Sequence, residues 1–260
     1  MVVPDAHGPG AARLELDGVG LEYDDVPGTG ERAPLLFLHE GLGSVGLWRG
    51  FHRRIAAATG RRSVAWSRPG HGRSGPPRSP RTPSFMGEEA TRTVPALCAA
   101  LGLERPVLVG HSDGATIALL AATVLPVGGL VVLAPHVLVE EFALTAIRAA
   151  RTAFDDGGLR ARMARHHDDP DAAFRNWNDV WLDPGFRAWD VRDRLGAITA
   201  PVLGVQGDAD PYGSAVHVRT VAERAAGPVA LTTLPCGHDP HLELPATTTA
   251  VVTRFLDGLP

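Results

Sequence analysis

The stretch that decides the fold is PVLVGHSDGATIALLAATVL, residues 106–125. An apolar run at 106–110 leads into the pentapeptide GHSDG at 110–114, and an apolar run with helix-forming residues follows. Strand, sharp turn and helix is the context that a G-x-S-x-G motif needs, because the turn strains the serine backbone and only glycines can pack beside it. The serine Oγ then stands at the positive end of the following helix. Ser112 is therefore the candidate nucleophile.

Two later strand ends carry the groups that a serine nucleophile requires. Its hydroxyl needs a general base, and the base needs an acid that fixes its tautomer. The apolar run at 201–206 leads into Gly-Asp-Ala-Asp-Pro, and the run at 229–234 leads towards Cys-Gly-His-Asp-Pro-His at 236–241. Parallel strands bring their carboxyl ends to one edge of a sheet, where loops converge on a site. We therefore expect Asp208 or Asp210, and His238 or His241, to face Ser112.

Hydrophobic patterning predicts one α/β domain with a helical insertion. Asp17-Gly18 joins two short strands in a hairpin, and from residue 35 apolar runs alternate with helical segments, as in a parallel sheet covered on both faces. The predicted strands are residues 13–16, 20–24, 35–39, 63–66, 106–110, 129–134, 201–206 and 229–234. The predicted helices are residues 46–59, 84–101, 112–125, 214–226 and 245–256. The interval 135–199 shows only helical pieces and contains three of the five tryptophans.

Composition excludes several classes of function. All 25 basic residues are arginine, which excludes P-loop ATPases, Schiff-base and PLP enzymes and other mechanisms that need a lysine. The net charge of -4, with scattered arginines, predicts neither a nucleic acid nor a membrane partner. Two isolated cysteines indicate free thiols. Without a leader or a membrane-spanning pattern, we expect a cytoplasmic protein with a small-molecule substrate.

The motifs and their order resemble the α/β-hydrolase superfamily over residues 13–256. The resemblance implies a mainly parallel eight-stranded sheet with helices on both faces. It places the core at 13–134 and 200–258, and a helical cap at 135–199 after the sixth strand. In that superfamily the acid stands three residues after the glycine ending its strand, and the histidine follows a glycine past the last strand. The implied catalytic triad is therefore Ser112, Asp210 and His238.

The resemblance also implies an oxyanion hole made by the main-chain N–H groups of Gly41 and Asp113. Most relatives have His-Gly where this chain has His-Glu-Gly at 39–41, so Glu40 places a carboxylate beside the hole. Unit charges about 4 Å apart interact by about 4 kcal/mol at an effective dielectric of 20, so a carboxylate aimed at an oxyanion would be costly. We expect Glu40 to point away and to pair with an arginine, such as Arg68, or with a backbone donor. Asp113 is expected to be exposed or paired with arginine.

Candidate substrate-binding residues lie beside these groups. Trp177 and Trp181 stand one helical turn apart in the predicted cap, which lines the pocket in this superfamily. His136 follows the sixth strand directly, at the carboxyl edge of the sheet. Glu40 could bind a cationic substrate group. Packing of a small cap or of the core would explain the tryptophans and His136 equally well.

Two other kinds of site compete with this interpretation. The spacing Gly41-x-Gly43-x-x-Gly46, with Arg68 near the end of the next strand, matches a dinucleotide-binding loop, although such a lone match is weak. The histidine-rich runs at 166–169 and 238–241 have no third ligand at a useful distance, so we expect no metal and no cofactor. The run at 68–75, Arg-Pro-Gly-His-Gly-Arg-Ser-Gly, matches a structural turn of the superfamily.

Three functions remain open. The first is a cofactor-free serine hydrolase that cleaves a small to medium ester, thioester or lactone through an acyl-enzyme. Relatives with the same triad also cleave carbon–carbon bonds or act as cofactor-free haloperoxidases or perhydrolases, and arginines lining the cap would favour an acidic dienone substrate. The third is a non-catalytic protein that binds a small molecule on this scaffold. A homodimer is compatible with each of them.

Overall fold

The centre of the molecule is a sheet of eight strands. The computed structural model describes residues 11–30 and 32–259. The strands are β1 (Ala11–Leu16), β2 (Val19–Val26), β3 (Leu35–Leu38), β4 (Ser63–Trp66), β5 (Val107–His111), β6 (Gly129–Leu133), β7 (Val202–Gly207) and β8 (Val229–Leu234). Their order across the sheet is β1-β2-β4-β3-β5-β6-β7-β8. Only β2 pairs antiparallel, with β1 and β4, so the predicted mainly parallel sheet is confirmed.

The hairpin at the start of the sheet is built by Asp17 and Gly18. Leu16 pairs with Val19, which leaves only these two residues in the turn. Both have positive φ, 51° for Asp17 and 76° for Gly18. A two-residue turn with both φ angles positive matches the right-handed twist of the strands it joins. The Asp-Gly pair therefore sets the register of β1 and β2, as its sequence predicts.

Helices cover the sheet on both faces. In chain order, the helices of the described residues are α1 (Phe51–Thr59), α2 (Phe85–Glu88), α3 (Val94–Leu101), α4 (Asp113–Ala121), α5 (Glu141–Asp155), α6 (Gly158–Met163), α7 (Pro170–Trp181), α8 (Val216–Arg224), α9 (Pro240–Glu243) and α10 (Pro245–Asp257). The predicted single helix at 84–101 is divided by a π-helical turn, Glu89–Thr93. Pro95, in the first turn of α3, has no N–H to donate to a helical hydrogen bond, and the wider turn accommodates that loss.

The central strands explain the apolar runs of the sequence. Every residue of β3, β4, β5, β6 and β7 is buried. Side chains of a strand alternate between faces, so Leu36 and Leu38 pack in the cluster that contains α3 and α4, whereas Leu35 and Phe37 pack with α1 and α10. Strands buried on both faces need continuous rather than alternating apolar sequence.

The segment between β6 and β7 contains α5, α6, α7 and two 3-10 helices, Pro184–Ala188 and Arg192–Ala197. The rings of Phe154 and Phe174 stack with centroids 3.9 Å apart, which joins α5 to α7. The segment is tied to the core by His167, whose Nε2 donates to the main-chain oxygen of Leu42 (2.9 Å) while its Nδ1 accepts the N–H of Gly72 (2.9 Å). The segment therefore has a fixed position over the carboxyl ends of the strands.

Two general expectations can be compared with the described residues. Cys98 and Cys236 are both free, as predicted, and both are buried. Burial raises the pKa of the Cys98 thiol to about 12. Across 11–30 and 32–259, no helix is both long and apolar enough to span a bilayer. The expectation that the chain has no leader falls on residues 1–10, which lie outside the described residues.

Candidate active site

Ser112 lies on a strained turn between β5 and α4. Its backbone angles are φ 52° and ψ -119°, a region that non-glycine residues rarely occupy. A methyl group added at Gly110 would overlap the main chain of Gly114 and Ala115, and one added at Gly114 would overlap the carbonyl oxygen of Leu38. Both glycines of the motif are therefore required for the close packing of β5, α4 and β3 around the serine.

Asp210 and His238 meet just beyond the ends of β7 and β8. His238 Nδ1 lies 2.9 Å and 2.8 Å from the two carboxylate oxygens of Asp210. The same carboxylate accepts the N–H of Tyr212 (2.8 Å) and the Nε2 of Gln206 (2.7 Å). Nδ1 of His238 must carry the proton in this contact, which leaves Nε2 free to accept one. Asp208 is exposed, so the geometry favours Asp210, the residue that the resemblance implied.

The surrounding charges favour protonation of His238. Burial lowers its pKa, but the hydrogen bond and charge of Asp210, together with the charges of Asp239 and Glu40, outweigh burial and raise the pKa above its usual value. Burial raises the pKa of Asp210, and the contact with His238 reverses that effect and lowers it overall. The pair is therefore arranged to stabilise an imidazolium beside a carboxylate.

Two further histidines support this arrangement. His111, the residue before Ser112, donates from Nε2 to the main-chain oxygen of His238 (2.8 Å) and so fixes the loop that carries it. His241 is buried in α9, with ring centroids 4.9 Å from His111 and 5.0 Å from Trp48. His241 thus lies in the core at the start of α9, and the contact with Asp210 is made by His238 instead.

One cavity of about 170 Å³ contains both Ser112 and His238. Its lining residues are Glu40, Gly41, Leu42, Ser112, His136, Ile147, Trp177, Trp181, Tyr212, His238 and Asp239. The four predicted substrate-binding residues are all among them, whereas Asp113 and Asp210 lie behind the lining. A larger open groove between α1 and α10 contains none of the predicted site residues. Sequence patterning did not identify Leu42, Ile147, Tyr212 or Asp239, because nothing local marks them.

The two tryptophans of α7 each contact one of the predicted oxyanion-hole residues. The Trp177 indole packs so closely on Gly41 that a methyl group added there would overlap the ring. Trp181 Nε1 donates to Asp113 Oδ1 over 3.1 Å. As the first residue of α4, Asp113 has a main-chain N–H without an intrahelical acceptor. A single helix face therefore supports both predicted N–H donors.

Asp113 is buried, with only 1% of its surface exposed. Burial raises the pKa of its carboxyl group, and the charge of Arg68 acts in the opposite direction. No hydrogen bond within the described residues reaches its Oδ2. The expectation of an exposed or arginine-paired acid is therefore wrong. The physical reason is that the first turn of α4 points this side chain beneath α7, where Trp181 supplies the hydrogen bond.

Glu40 lines the cavity with its side chain a quarter exposed. Arg68 donates to the main-chain oxygens of His39 (2.5 Å) and Glu40 (2.8 Å), not to the Glu40 carboxylate, so the expected arginine partner is not found in the described part of the chain. A Glu40 carboxylate oxygen lies 3.9 Å from His111 Nδ1. Burial, followed by the charge of Asp239, raises the pKa of Glu40 to about 7, against the lowering effect of its own main-chain N–H and of Arg68. The carboxyl group of Glu40 therefore gains and loses its proton near neutral pH.

Ser112 Oγ has a neighbour that sequence reasoning did not pair with it. His136 Nε2 lies 3.4 Å from this oxygen, and within residues 11–30 and 32–259 no hydrogen bond joins Ser112 Oγ to His238. Contacts between a nucleophile and its base are often long before substrate binds. His136 was expected to line the pocket, which it does, but its contact with the nucleophile depends on a fold that brings β5 beside β6.

In the described residues, the local geometry does not fit the two competing kinds of site, a dinucleotide-binding loop and a metal site. Gly41 faces the Trp177 ring and Gly43 faces the Glu40 carboxylate, so this glycine loop offers no open backbone to a diphosphate. In the histidine-rich run at 166–169, His167 bonds to main-chain atoms and Asp169 caps α7 by accepting the N–H of Ala172 (2.9 Å). Over the described ranges, no group of three or more potential ligands could hold a metal ion.

The sequence matches a known protein family. The family model described as the alpha/beta hydrolase family matches residues 35–251. The chain belongs to the alpha/beta hydrolase family. The α/β-hydrolase fold expected from the sequence is thus confirmed, and membership supports hydrolase activity.

Two individual relatives share 31% and 27% identity with parts of this alpha/beta hydrolase. It is 31% identical over 122 residues to the sn-1-specific diacylglycerol lipase ABHD11 of Danio rerio, covering 44% of this chain and 37% of that protein. It is 27% identical over 236 residues to the dihydrolipoyllysine-residue acetyltransferase component of the acetoin cleaving system of Pseudomonas putida, covering 82% of this chain and 61% of that protein. The chain therefore spans less than two thirds of the length of either curated relative.

A solved structure matches over nearly the full length of both chains. Est816, described as an N-acyl homoserine lactone degrading enzyme, shares 27% identity with a TM-score of 0.71, covering 94% of this chain and 99% of that one. The similarity extends through the segment between β6 and β7, because the match covers almost all of the chain.

Proposed function

We propose that this alpha/beta hydrolase is a cofactor-free serine hydrolase that cleaves a small to medium ester, thioester or lactone through an acyl-enzyme. The observation that carries the proposal is one cavity of about 170 Å³ into which Ser112, His238 and Gly41 open. Behind it, Asp210 holds His238 Nδ1 at 2.8 Å and 2.9 Å. Nucleophile, oriented base and a main-chain donor thus meet at one substrate-sized space.

In the acylation step, Ser112 Oγ attacks the substrate carbonyl carbon while His238 Nε2 takes the hydroxyl proton. Asp210 keeps Nδ1 protonated and stabilises the imidazolium that forms. The main-chain N–H groups of Gly41 and Asp113 stabilise the oxyanion of the tetrahedral intermediate. His238 then returns the proton to the leaving oxygen or sulfur, and Ser112 is left esterified.

In the deacylation step, water replaces the leaving group. His238 Nε2 takes a proton from the water as its oxygen attacks the acyl carbon, and the same two N–H groups stabilise the second oxyanion. The bond from carbon to Ser112 Oγ then breaks, and His238 returns the proton to the serine. Both half-reactions use the same proton acceptor, so no cofactor is required.

The charges of the cavity favour a neutral or cationic acyl group. Glu40 and Asp239 line it, and no arginine is among its lining residues. Of the cap arginines considered for an acidic dienone, Arg148 and Arg187 pair with Glu141, Arg151 pairs with Asp179 and Arg175 is exposed. An anionic substrate would therefore meet the Asp239 carboxylate and, above its pKa of about 7, that of Glu40, with no arginine in the lining, which disfavours the carbon–carbon hydrolase alternative.

The helical segment at 135–199 acts in this proposal as the cap that closes the site. Ile147 of α5, with Trp177 and Trp181 of α7, forms the part of the lining that lies outside the sheet edge. These apolar side chains suit an aliphatic or aromatic acyl chain. The degradation of a lactone by Est816, at 27% identity, supports a cyclic or linear ester as substrate. A cytoplasmic location and a homodimer stay predictions.

The test is the turnover of nitrophenyl acetate by wild type and Ser112→Ala. We expect the variant to lose about 10⁴- to 10⁶-fold in kcat, as removal of a triad nucleophile does. Ser79→Ala, at an exposed serine, is the control and should leave kcat unchanged. Turnover that survives in Ser112→Ala would contradict the proposal. Folded wild-type protein without turnover of any ester, thioester or lactone would favour the binding-protein alternative.

A further inference from the structure

His136 is held against the nucleophile from both ends. It follows β6 after Ala134, whose φ of 47° is unusual for a residue with a side chain. Thr116 of α4 fixes its main chain, donating from Oγ1 to the His136 oxygen (2.7 Å) and accepting the His136 N–H (3.1 Å). The ring reaches back to Ser112, the residue from which α4 starts, with Nε2 3.4 Å from Oγ. Helix α4 therefore couples the position of His136 to that of Ser112.

The plane of the His136 ring is also fixed. Trp181 and His217 pack against it edge to face, with centroids 5.0 Å and 5.2 Å away. His217 Nδ1 accepts the N–H of Val137 (3.2 Å), so its proton is on Nε2, which lies 2.9 Å from Glu140 Oε2. With 3% of its surface exposed, His136 cannot swing into solvent without disrupting these contacts.

The tautomer of His136 follows from the proton that Ser112 has to give. In the proposed acylation step that proton goes to His238 Nε2, because Asp210 keeps the proton of His238 on Nδ1. In its contact with His136, Ser112 Oγ is then the acceptor, so His136 Nε2 carries a hydrogen. Burial, and next the charges of His217 and His238, lower the pKa of His136 well below its usual value, so the ring is neutral and has one N–H to donate.

We propose that His136 is a second catalytic histidine, which donates its Nε2–H to Ser112 Oγ while that oxygen is expelled in deacylation. This inference rests on the proposed acyl-enzyme function. As the bond from the acyl carbon to Oγ breaks, the electron pair returns to Oγ and His238 delivers the proton. His136 transfers no proton and stabilises the charge that develops on Oγ through its hydrogen bond.

The two half-reactions depend on this hydrogen bond to different extents. In the acyl-enzyme, Oγ is an ester oxygen and a weak acceptor, so the bond strengthens greatly as negative charge develops in deacylation. Before acylation, Oγ is a hydroxyl oxygen that already accepts the bond, so little is gained on the way to that transition state. Only interactions that strengthen in the transition state accelerate a step. Removal of the donor should therefore slow deacylation selectively.

The experiment is stopped-flow release of nitrophenol by the full chain, which separates acylation, seen as the burst, from deacylation, seen as the steady state. For His136→Leu we expect deacylation to fall about 10- to 100-fold while acylation changes less than about 3-fold, so that a burst of one nitrophenol per site appears. His136→Gln, which keeps a donor, should recover most of the deacylation rate. His52→Gln, at a buried histidine outside the cavity, is the matched control and should leave the ratio of the two rates unchanged.

Each outcome separates this inference from the function on which it rests. Equal loss in both steps, or an unchanged ratio in His136→Leu, would overturn the role of His136 while Ser112-dependent turnover keeps the hydrolase proposal intact. Ester turnover that persists in Ser112→Ala would instead overturn the proposed function. If His136→Leu fails to fold, His136→Met fills similar space without a donor and is held to the same expected ratio. Failure of His136→Gln to recover deacylation would contradict the hydrogen bond itself.

Discussion

The two walls of the cavity are held in place by different kinds of contact. The core wall, Gly41, Ser112, Tyr212 and His238, stands on loops at the carboxyl ends of strands, and the positive φ of Ser112 and its close-packed glycines fix it through the main chain. The helical wall, Ile147, Trp177 and Trp181, is held by side chains, such as the stacked rings that join α5 to α7. Main-chain geometry thus fixes the groups proposed to react, and side-chain packing shapes the space around them.

The core wall should show the largest effect, through Asp210→Asn. The amide can no longer keep the proton on His238 Nδ1 and stabilise the imidazolium, so we expect kcat to fall about 10⁴-fold. The matched control is Asp208→Asn, two residues earlier and exposed, which should change kcat less than 2-fold. Steady-state hydrolysis of a nitrophenyl ester measures both. Similar losses in the two variants would contradict the assignment of the acid.

The contact between the walls is tested by Gly41→Ala. A methyl group there would overlap the Trp177 indole, so the loop must shift and carry its N–H away from the oxyanion. We expect kcat to fall about 10²- to 10³-fold, the effect of losing one such donor. A double-mutant cycle with Trp177→Ala sharpens the result, because removal of the ring should make Gly41→Ala much less harmful. An equal loss in both backgrounds would show that the walls act independently.

A smaller effect is expected for Trp181→Phe in the helical wall. Among the described residues, Trp181 makes the only side-chain hydrogen bond to the buried Asp113 carboxylate. The change removes it, so the free energy of unfolding should fall by about 1 to 3 kcal/mol. Because the pKa of that carboxyl group is already raised, Trp181→Phe should lower the free energy of unfolding more at pH 8 than at pH 5. Trp189→Phe, which removes an indole N–H elsewhere in the segment, is the control for urea unfolding. A pH-independent loss would contradict the account.

The smallest effect concerns Glu40→Gln and pH. The pKa of Glu40 is raised from 4.5 to about 7 on folding, so the folded state binds more protons between these values and the free energy of unfolding falls as pH rises through them. Glu40→Gln removes the titrating carboxyl group, so this fall in the free energy of unfolding is absent from the variant. The variant should match wild type at pH 4 and be about 1 to 2 kcal/mol more stable at pH 8. Glu223→Gln, at an exposed glutamate of α8, is the control and should have the stability of wild type at both pH values. If Glu40→Gln is instead less stable than wild type at pH 8, the Glu40 carboxylate has a strong partner.

Local sequence predicted Ser112 of the core wall, the family resemblance selected His238 and Gly41, and Tyr212 was not identified. The strand, turn and helix around Ser112 are encoded within twenty residues, since apolar burial and the two glycines leave few alternatives. Continuous apolar runs located the central strands for the same reason, and Asp17-Gly18 predicted the hairpin turn. The residues alone left Asp208 and Asp210 open, and the family resemblance implied Asp210, which the structure places beside His238.

The helical wall and the second neighbour of Ser112 could not be predicted in this way. Which face of α7 meets the sheet depends on packing between segments far apart in sequence. The sequence therefore did not decide whether Trp177 and Trp181 pack in the core or line the pocket. The contact from His136 to Ser112 requires β6 to lie beside β5 and Ala134 to adopt a positive φ. Glu40 was expected to pair with an arginine, such as Arg68, or with a backbone donor. Arg68 bonds to the main chain of the same loop, and the backbone donor that acts on the Glu40 carboxylate is its own N–H.

The most direct test of the account is whether acyl groups and phosphonates attach to Ser112. Intact protein would be treated with a fluorophosphonate and, separately, quenched during nitrophenyl acetate turnover, and its mass would be measured before peptide mapping. We predict one added group per chain in each case, located on Ser112 and absent from Ser112→Ala. A folded wild-type protein that hydrolyses the ester without a covalent adduct, or with one on another residue, would contradict the central claim.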